Sequence, residues 1–509
     1  MLATSPEVEM LMTRSVNRAS MQPHATPRSV VVRSTIEREI KLAVDDHFRL
    51  PHLAGTPLPR RLLTSTYYDT PGCHLTHAGI TLRYRVARRT AAWQLKLPLI
   101  KDRQELEIVG RQPVPPKTFR DLLLLHLGHR RLMPVVTLRT RRTGVRVHQD
   151  NIPIADVTHD DVAIVNNGTV IQRFRELEIE QLNGNDGTLH SVERQLRRAG
   201  AEEHDGRPKL FRALSLPAPG ADGPPGPKAP AAEHVTWALT HHVRWLLAHD
   251  PGTRFGREPE SLHQMRIATR QLRALLHAAK PLLVSDWADS LQKELAWLLR
   301  LLGPARDLDV QLAYFRDEAT RLDARDRKPL SRFIEHLVSR RANVQEKLLT
   351  ELRSARYLRL IRRLREATEE PAIVASAVTV RDLAAREFKR LRKAIRGMGT
   401  SPSSVTVHKV RIGTKRARYI AALAEPGVGK PATRFIKQAR AVQDVLGMHQ
   451  DAIQAEAHVR TFLKQSTSVR TGFIAGRMVE RQRERREQAR KAMRKLWKGL
   501  LKRGKQAWG

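Results

Sequence analysis

The sequence predicts an α+β protein: an N-terminal antiparallel β barrel of about eight or nine strands, followed by an all-α duplicated helical bundle. Three observations predict it. Short runs alternate apolar and polar residues through the first 215 positions, as strands do. A Pro/Gly/Ala segment, LPAPGADGPPGPKAPAA (216–232), then interrupts the chain with almost no core-forming residues. Beyond it nearly every segment repeats at helical spacing, with Leu, Ala and Arg dominant. The expected organisation is a disordered leader (1–30), a strand-rich domain (31–215), the linker (216–232), a helical domain (233–465) and a basic helical tail (466–509).

Charge separates the two halves. The formal net charge is +39, which attracts polyanions. Residues 31–215 hold 30 Lys and Arg against 21 Asp and Glu, whereas residues 216–509 hold 58 against 29. The polyanion-seeking part is therefore mainly C-terminal. Cys73 is the single cysteine, which excludes an intrachain disulfide and a Cys-rich zinc site and fits a reducing, cytoplasmic compartment. Apolar runs such as DLLLLHLG are too short to cross a bilayer. The leader lacks a basic start followed by an apolar stretch, so it does not read as a signal peptide.

In TIEREIKLAV, Glu37, Glu39 and Lys41 fall at alternate positions and share one face of a strand. The pattern recurs in Arg83 and Arg85, in Gln94 and Lys96, in Arg139 and Arg141, and in Glu176, Glu178 and Glu180. DLLLLHLG and SVERQLRRAG read as helical inserts. One such strand suits a solvated sheet. Five, with carboxylates on the first and last strands and cations on the middle ones, suit a polar interior. A row of Arg and Lys neutralises a chain of phosphates, and neighbouring glutamates hold Mg²⁺ or Mn²⁺ through hard oxygen ligands. Phosphoryl transfer needs mainly positioning and charge stabilisation, so a barrel lined in this way suffices.

EREIK resembles the E-x-E-x-K signature of the CYTH family, the triphosphate tunnel metalloenzymes. The resemblance extends through YYDTPGCHLTHAGITLRYR, WQLKLP, TLRTRR, FRELEIEQL and RPKLFRAL, over about residues 34–215. It implies an eight-stranded tunnel that binds a triphosphate and a divalent metal. It also implies that Glu37, Glu39 and Lys41 are catalytic, with Glu37, Glu39, Glu176, Glu178 and Glu180 holding the metal. Lys41, Arg83, Arg85, Lys96, Arg139, Arg141 and Lys209 then bind the triphosphate. Asp156 stands where related chains more often carry Glu.

The helical half contains a long-range repeat. HQMRIATRQLRALLHA begins at His263 and HKVRIGTKRARYIAAL at His408, and an LG-x-x-x-D turn follows each, ending at Asp307 and Asp451. His263, Arg266, Arg270 and Arg273 have the same spacing as His408, Arg411, Lys415 and Arg418, which places each set on one helix face. A single basic stripe is an ordinary solvated face. Two at identical offsets predict a groove for a long, regularly charged anion, with inorganic polyphosphate favoured. Nucleic acid is the rival, disfavoured because only Tyr419 lies near for stacking. These segments resemble the CHAD family of conserved-histidine α-helical domains, over about residues 232–465. That resemblance implies polyphosphate binding, often at polyphosphate granules.

The combined expectation is a Mg²⁺- or Mn²⁺-dependent inorganic triphosphatase joined to a polyphosphate-binding bundle. The alternatives are a non-catalytic polyphosphate-granule protein and a nucleic-acid binder. Oligomeric state has no signature in the sequence.

Overall fold

The computed structural model describes residues 31–509 except 89, 101, 112, 184–185, 218–222, 400–402 and 465–467, so the expected leader lies outside the described residues. Among the described residues ten strands form one antiparallel sheet: β1 (Arg33–Glu37), β2 (Glu39–Ala43), β3 (Gly55–Asp69), β4 (Thr81–Ala87), β5 (Thr90–Pro98), β6 (Arg103–Val109), β7 (Met133–Gln149), β8 (Ile152–Asn166), β9 (Thr169–Gln181) and β10 (Glu202–Glu203). Their order is β1-β6-β5-β4-β3-β7-β8-β9-β2-β10. The ladder is open, but its ends are parts of one chain segment. β1 pairs with β6 and β2 with β9, and only Arg38 separates them. The chain itself therefore joins the ends of an eight-stranded wall at Arg38, whose carbonyl accepts from the Gln181 amide at 2.9 Å and whose guanidinium meets Asp102 at 3.1 Å.

This wall inverts the usual order of polarity. Its apolar side chains point outward and are covered by helices: α1 (His74–His77), α2 (Lys117–Leu122), α3 (Leu124–Leu127) and α4 (Asp186–Arg198). Leu82, Trp93, Leu95, Leu106 and Ile108 pack against Leu75, Phe119 and Leu122. Leu42, Val157, Leu177 and Ile179 pack against Leu189, Val192 and Leu196 of α4. Asp69 ties the β3 end to α1 by accepting from the Leu75 and Thr76 amides at 3.0 and 2.9 Å. One end of the barrel is stoppered. The short α5 (Lys209–Ala213) inserts Leu210 among Tyr67, Leu138, Val162 and Ile164.

Among the described residues nine α-helices follow: α6 (Ala231–Phe255), α7 (Pro259–Ala278), α8 (Ser285–Thr320), α9 (Ala324–Leu352), α10 (Ala355–Glu369), α11 (Val380–Arg396), α12 (Ser404–Val428), α13 (Lys430–Leu463) and α14 (Val469–Trp508). Sequential helices pack in two series, α6 to α9 and α11 to α14, and the two series meet where α7 lies against α12. This is the duplicated bundle the sequence predicts. Two local expectations change. The LG-x-x-x-D segments lie inside α8 and α13 and are not turns. A Cβ at Gly303 would make only an ordinary contact, 3.8 Å, with the Arg266 guanidinium. The basic tail is not an appendage either: α14 packs along α13 and buries Met493, Trp497, Leu500 and Trp508 in the main bundle core.

The linker does not hold the halves apart. α6 packs on α2, α3 and β5. Leu125 of α3 belongs to the bundle core, and Phe255 of α6 packs on the outer core of the barrel. The buried His126 ring lies 3.0 Å from the Leu247 carbonyl, and burial pushes its pKa down to about 4. Arg365 donates to the Leu125 carbonyl at 2.5 Å.

Candidate functional sites: a charged tunnel and a basic groove

Period-two alternation turns one side chain in two of every wall strand inward, and these form two linked clusters. The first joins β1, β4, β5 and β6. Lys96 lies 2.5 Å from Glu37 and 3.1 Å from Glu105. Arg83 donates to Gln94 at 2.8 Å and to the Tyr67 hydroxyl at 3.3 Å, and lies 3.7 Å from Glu105. Burial raises the Glu37 carboxyl to about 7. Glu105 is buried too, but Lys96 and Arg83 hold it near 2. Arg85 reaches only the Ser65 hydroxyl, at 3.3 Å, and has no carboxylate partner among the described residues. Burial and the charges of Arg83 and Arg142 push its pKa down to about 10.

The second cluster joins β2, β7, β8, β9 and α5. Lys41 lies 2.9 Å from Glu178, 3.4 Å from Glu39 and 3.7 Å from Glu176. Lys209 lies 2.7 Å from Asp160, 2.9 Å from Glu176 and 2.8 Å from Glu178. Arg142 grips Asp160 with two hydrogen bonds, of 2.7 and 2.6 Å, and reaches Glu178 at 2.5 Å. Burial opposes charge on Lys41 and Lys209, yet the carboxylates outweigh it and both pKa values rise. Burial likewise opposes charge on Glu178, and Lys209, Lys41 and Arg142 outweigh it, so its pKa falls well below the ordinary value.

Glu37, Glu39, Lys41, Arg83, Arg85, Lys96, Glu176, Glu178 and Lys209 thus line one interior, with Glu180 more exposed at its edge. Arg139 and Arg141 do not. Both are exposed on the outer face of β7, and Arg142 is the arginine of that strand that turns in. In TLRTRR both strand faces carry an arginine, so alternation alone leaves the inward one open. The apolar stopper settles it by drawing Leu138, and with it Thr140 and Arg142, to the inside. Sequence reasoning also missed Glu105 and Asp160. The alternation of Glu105 and Glu107 in QELEIVG is the same kind of signal as EREIK, whereas Asp160 has no such mark.

The donor chemistry suits a hard divalent cation. Glu39 and Glu180 stand directly opposite in the β2–β9 ladder, an arrangement that is repulsive unless a cation lies between them. Glu180 makes no ion pair with any described residue, and burial raises its pKa. Among the described residues no three His, Cys, Asp or Glu side chains already stand in coordinating geometry, because most of the carboxylates lean on Lys or Arg.

The groove lies where α7 meets α12. Arg266, Arg270, Arg411, Lys415 and Arg418 share it with Arg306 of α8, and among the described residues Asp307 and Asp451 are the carboxylates that act on them most. Arg266 lies 3.7 Å from Asp307, and Arg270 donates to the Tyr419 hydroxyl at 3.2 Å. Burial and then Arg270, Arg411, Arg266 and Arg418 push Lys415 down to about 6. Burial and Arg306 push His263 to about 4, so that ring is neutral at pH 7. His408 and Arg273 are exposed at the groove's margins.

Two domain families match the chain: CYTH over residues 35–210 and CHAD over residues 238–460, the pair and order that the motifs resemble. An uncharacterized protein of Mycobacterium tuberculosis, in strains CDC 1551 and H37Rv, is 29% identical over 440 residues, covering 79% of this chain and 82% of its own length. Among solved structures, the CHAD domain of the plant Ricinus communis is 25% identical, with a TM-score of 0.46 over 55% of this chain and 95% of its own. PptA from Streptomyces chartreusis is 20% identical, with a TM-score of 0.45 over 53% of this chain and 100% of its own. CYTH proteins are metal-dependent and bind triphosphates. Among the described residues no helix is long and apolar enough to cross a membrane.

Proposed function

We propose that this protein, which joins a CYTH domain to a CHAD domain, hydrolyses inorganic tripolyphosphate in its tunnel and is held on inorganic polyphosphate by its helical groove. The observation that supports it best is the division of the interior, with glutamates concentrated on β1, β2 and β9 and Arg83, Arg85 and Lys96 on β4 and β5. Arg85, without a carboxylate partner, is the cation freest to take a phosphate. Arg83 and Lys96 must trade a glutamate for the substrate. Lys41, Lys209 and Arg142 hold the carboxylate bank in place before substrate arrives. Glu37, Glu39, Glu176, Glu178 and Glu180 would hold Mg²⁺ or Mn²⁺. When bound, such an ion polarises a phosphoryl oxygen and lowers the pKa of a bound water. The stopper at α5 makes the tunnel one-ended, which suits a short triphosphate better than a threaded polymer.

Purified protein is expected to release phosphate from tripolyphosphate only with Mg²⁺ or Mn²⁺, and Glu37→Ala to lower the rate by about 100-fold or more. Full metal-dependent turnover in that variant would end the enzymatic reading. The second reading, a catalytically silent polyphosphate-granule protein, is favoured by the ion pairs that already occupy most tunnel cations. It predicts retention on polyphosphate without turnover in a screen of tripolyphosphate, ATP and long-chain polyphosphate. The nucleic-acid reading predicts that duplex DNA displaces polyphosphate at fixed salt. A cytoplasmic, granule-bound location belongs to the same proposal.

A further inference from the structure

The α7 stripe does not stop at Arg273. His277 continues its spacing, and its Nε2 lies 3.1 Å from an Arg416 nitrogen on α12 and 3.3 Å from an Arg390 nitrogen on α11. Beneath them Glu387 is 1% exposed and pairs with Arg390 at 2.5 Å and Arg416 at 3.2 Å. One buried carboxylate thus pins the cations that connect the groove to the next helix.

α11 presents its outer face there. Arg386, Lys389, Arg390, Arg392, Lys393 and Arg396 line a shallow groove of about 440 Å³. Arg386, Lys389, Lys393 and Arg396 are exposed and make no ion pair with any described residue, while the apolar side of the helix packs Leu383, Phe388, Leu391 and Ile395 into the bundle. The equivalent first helix of the other repeat, α6, differs: part of its outer side is covered by α2, α3 and β5 of the tunnel domain. The duplication therefore produced two first helices, one docked on the tunnel and one left bare and polycationic.

We infer that the outer face of α11 is a second binding segment for inorganic polyphosphate, continuous with the α7–α12 groove through His277, Arg390 and Arg416. This rests on the proposed polyphosphate anchoring and gives it a length requirement. At the α-helical rise, His263 to His277 spans about 21 Å and Arg386 to Arg396 about 15 Å more. A triphosphate covers a small part of that lane, whereas a long chain covers all of it. Polyphosphate fits better than nucleic acid because α11 offers no exposed aromatic face for a base, its Phe388 being buried.

The test compares full-length wild type with Lys389→Ala/Lys393→Ala/Arg396→Ala, and with Arg270→Ala/Lys415→Ala, for binding to long-chain polyphosphate, tripolyphosphate and duplex DNA across a salt series. The α11 triple variant should bind long-chain polyphosphate about 10-fold more weakly, with a shallower salt slope. Its tripolyphosphate turnover and circular dichroism should match wild type. The groove variant should lose more. An α11 variant with wild-type affinity and salt slope for long chains overturns the lane and leaves the groove standing, as does one that loses only DNA binding. Wild-type protein that retains no polyphosphate overturns the anchoring itself.

Discussion

The tunnel and the groove gather similar cations and treat them in opposite ways. In the tunnel Lys41, Lys209 and Arg142 each touch two or more carboxylates at 3.7 Å or less. In the groove Arg266, Arg270, Arg306, Arg411, Lys415 and Arg418 share Asp307 and Asp451. Taking ions out of water is costly, so the tunnel carries its own counter-charge and is organised before any ligand binds. The groove leaves that role to its ligand, so occupancy there should stabilise the fold.

The contrast is broken most directly at Glu178. Glu178→Gln strands Lys41, Lys209 and Arg142 around a lost charge and should cost about 3–5 kcal/mol in denaturant unfolding. Asp307→Asn in the more open groove should cost about 1 kcal/mol or less. Equal costs would mean that the two regions are not differently compensated. The next effect is catalytic. Arg85→Ala should lower kcat/KM for tripolyphosphate about 100-fold, whereas Arg139→Ala and Arg141→Ala, on the outer wall, should leave it within about twofold. The smallest effect concerns protons. Lys415 titrates near 6 in the folded groove against 10.5 as the ordinary value. Between these values the folded protein binds fewer protons than the unfolded chain, so this group makes ligand-free stability rise with pH across that window. A polyanion restores the charge, so calorimetry at pH 7.5 in buffers of different ionisation enthalpy should show proton uptake on polyphosphate binding. No uptake would remove Lys415 from the contact.

Much of this was legible in the sequence, for physical reasons. Glu37, Glu39 and Lys41 could be assigned to one face because strand alternation is rigid, and the two stripes could be paired because a duplication preserved their offsets. What escaped was set by tertiary packing. Arg142 took the place expected of Arg139 and Arg141 because a stopper in α5, with Leu210 lying 68 residues beyond Arg142, chose the inward face. Asp160 and Arg306 joined their sites through neighbours remote in the chain. The LG-x-x-x-D segments read as turns because glycine usually marks them, whereas Gly303 and Gly447 both lie within long packed helices. The packing of the basic tail was hidden because its charge outweighs its widely spaced Met493, Trp497 and Trp508.

The exchange of Leu125 and Phe255 across the domain boundary has a practical consequence. A protease that nicks the proline-rich segment at 216–232 should leave two fragments that stay together, since each completes the apolar interior of the other. Melting should then follow a single transition, and either fragment expressed alone should be sticky and prone to aggregate.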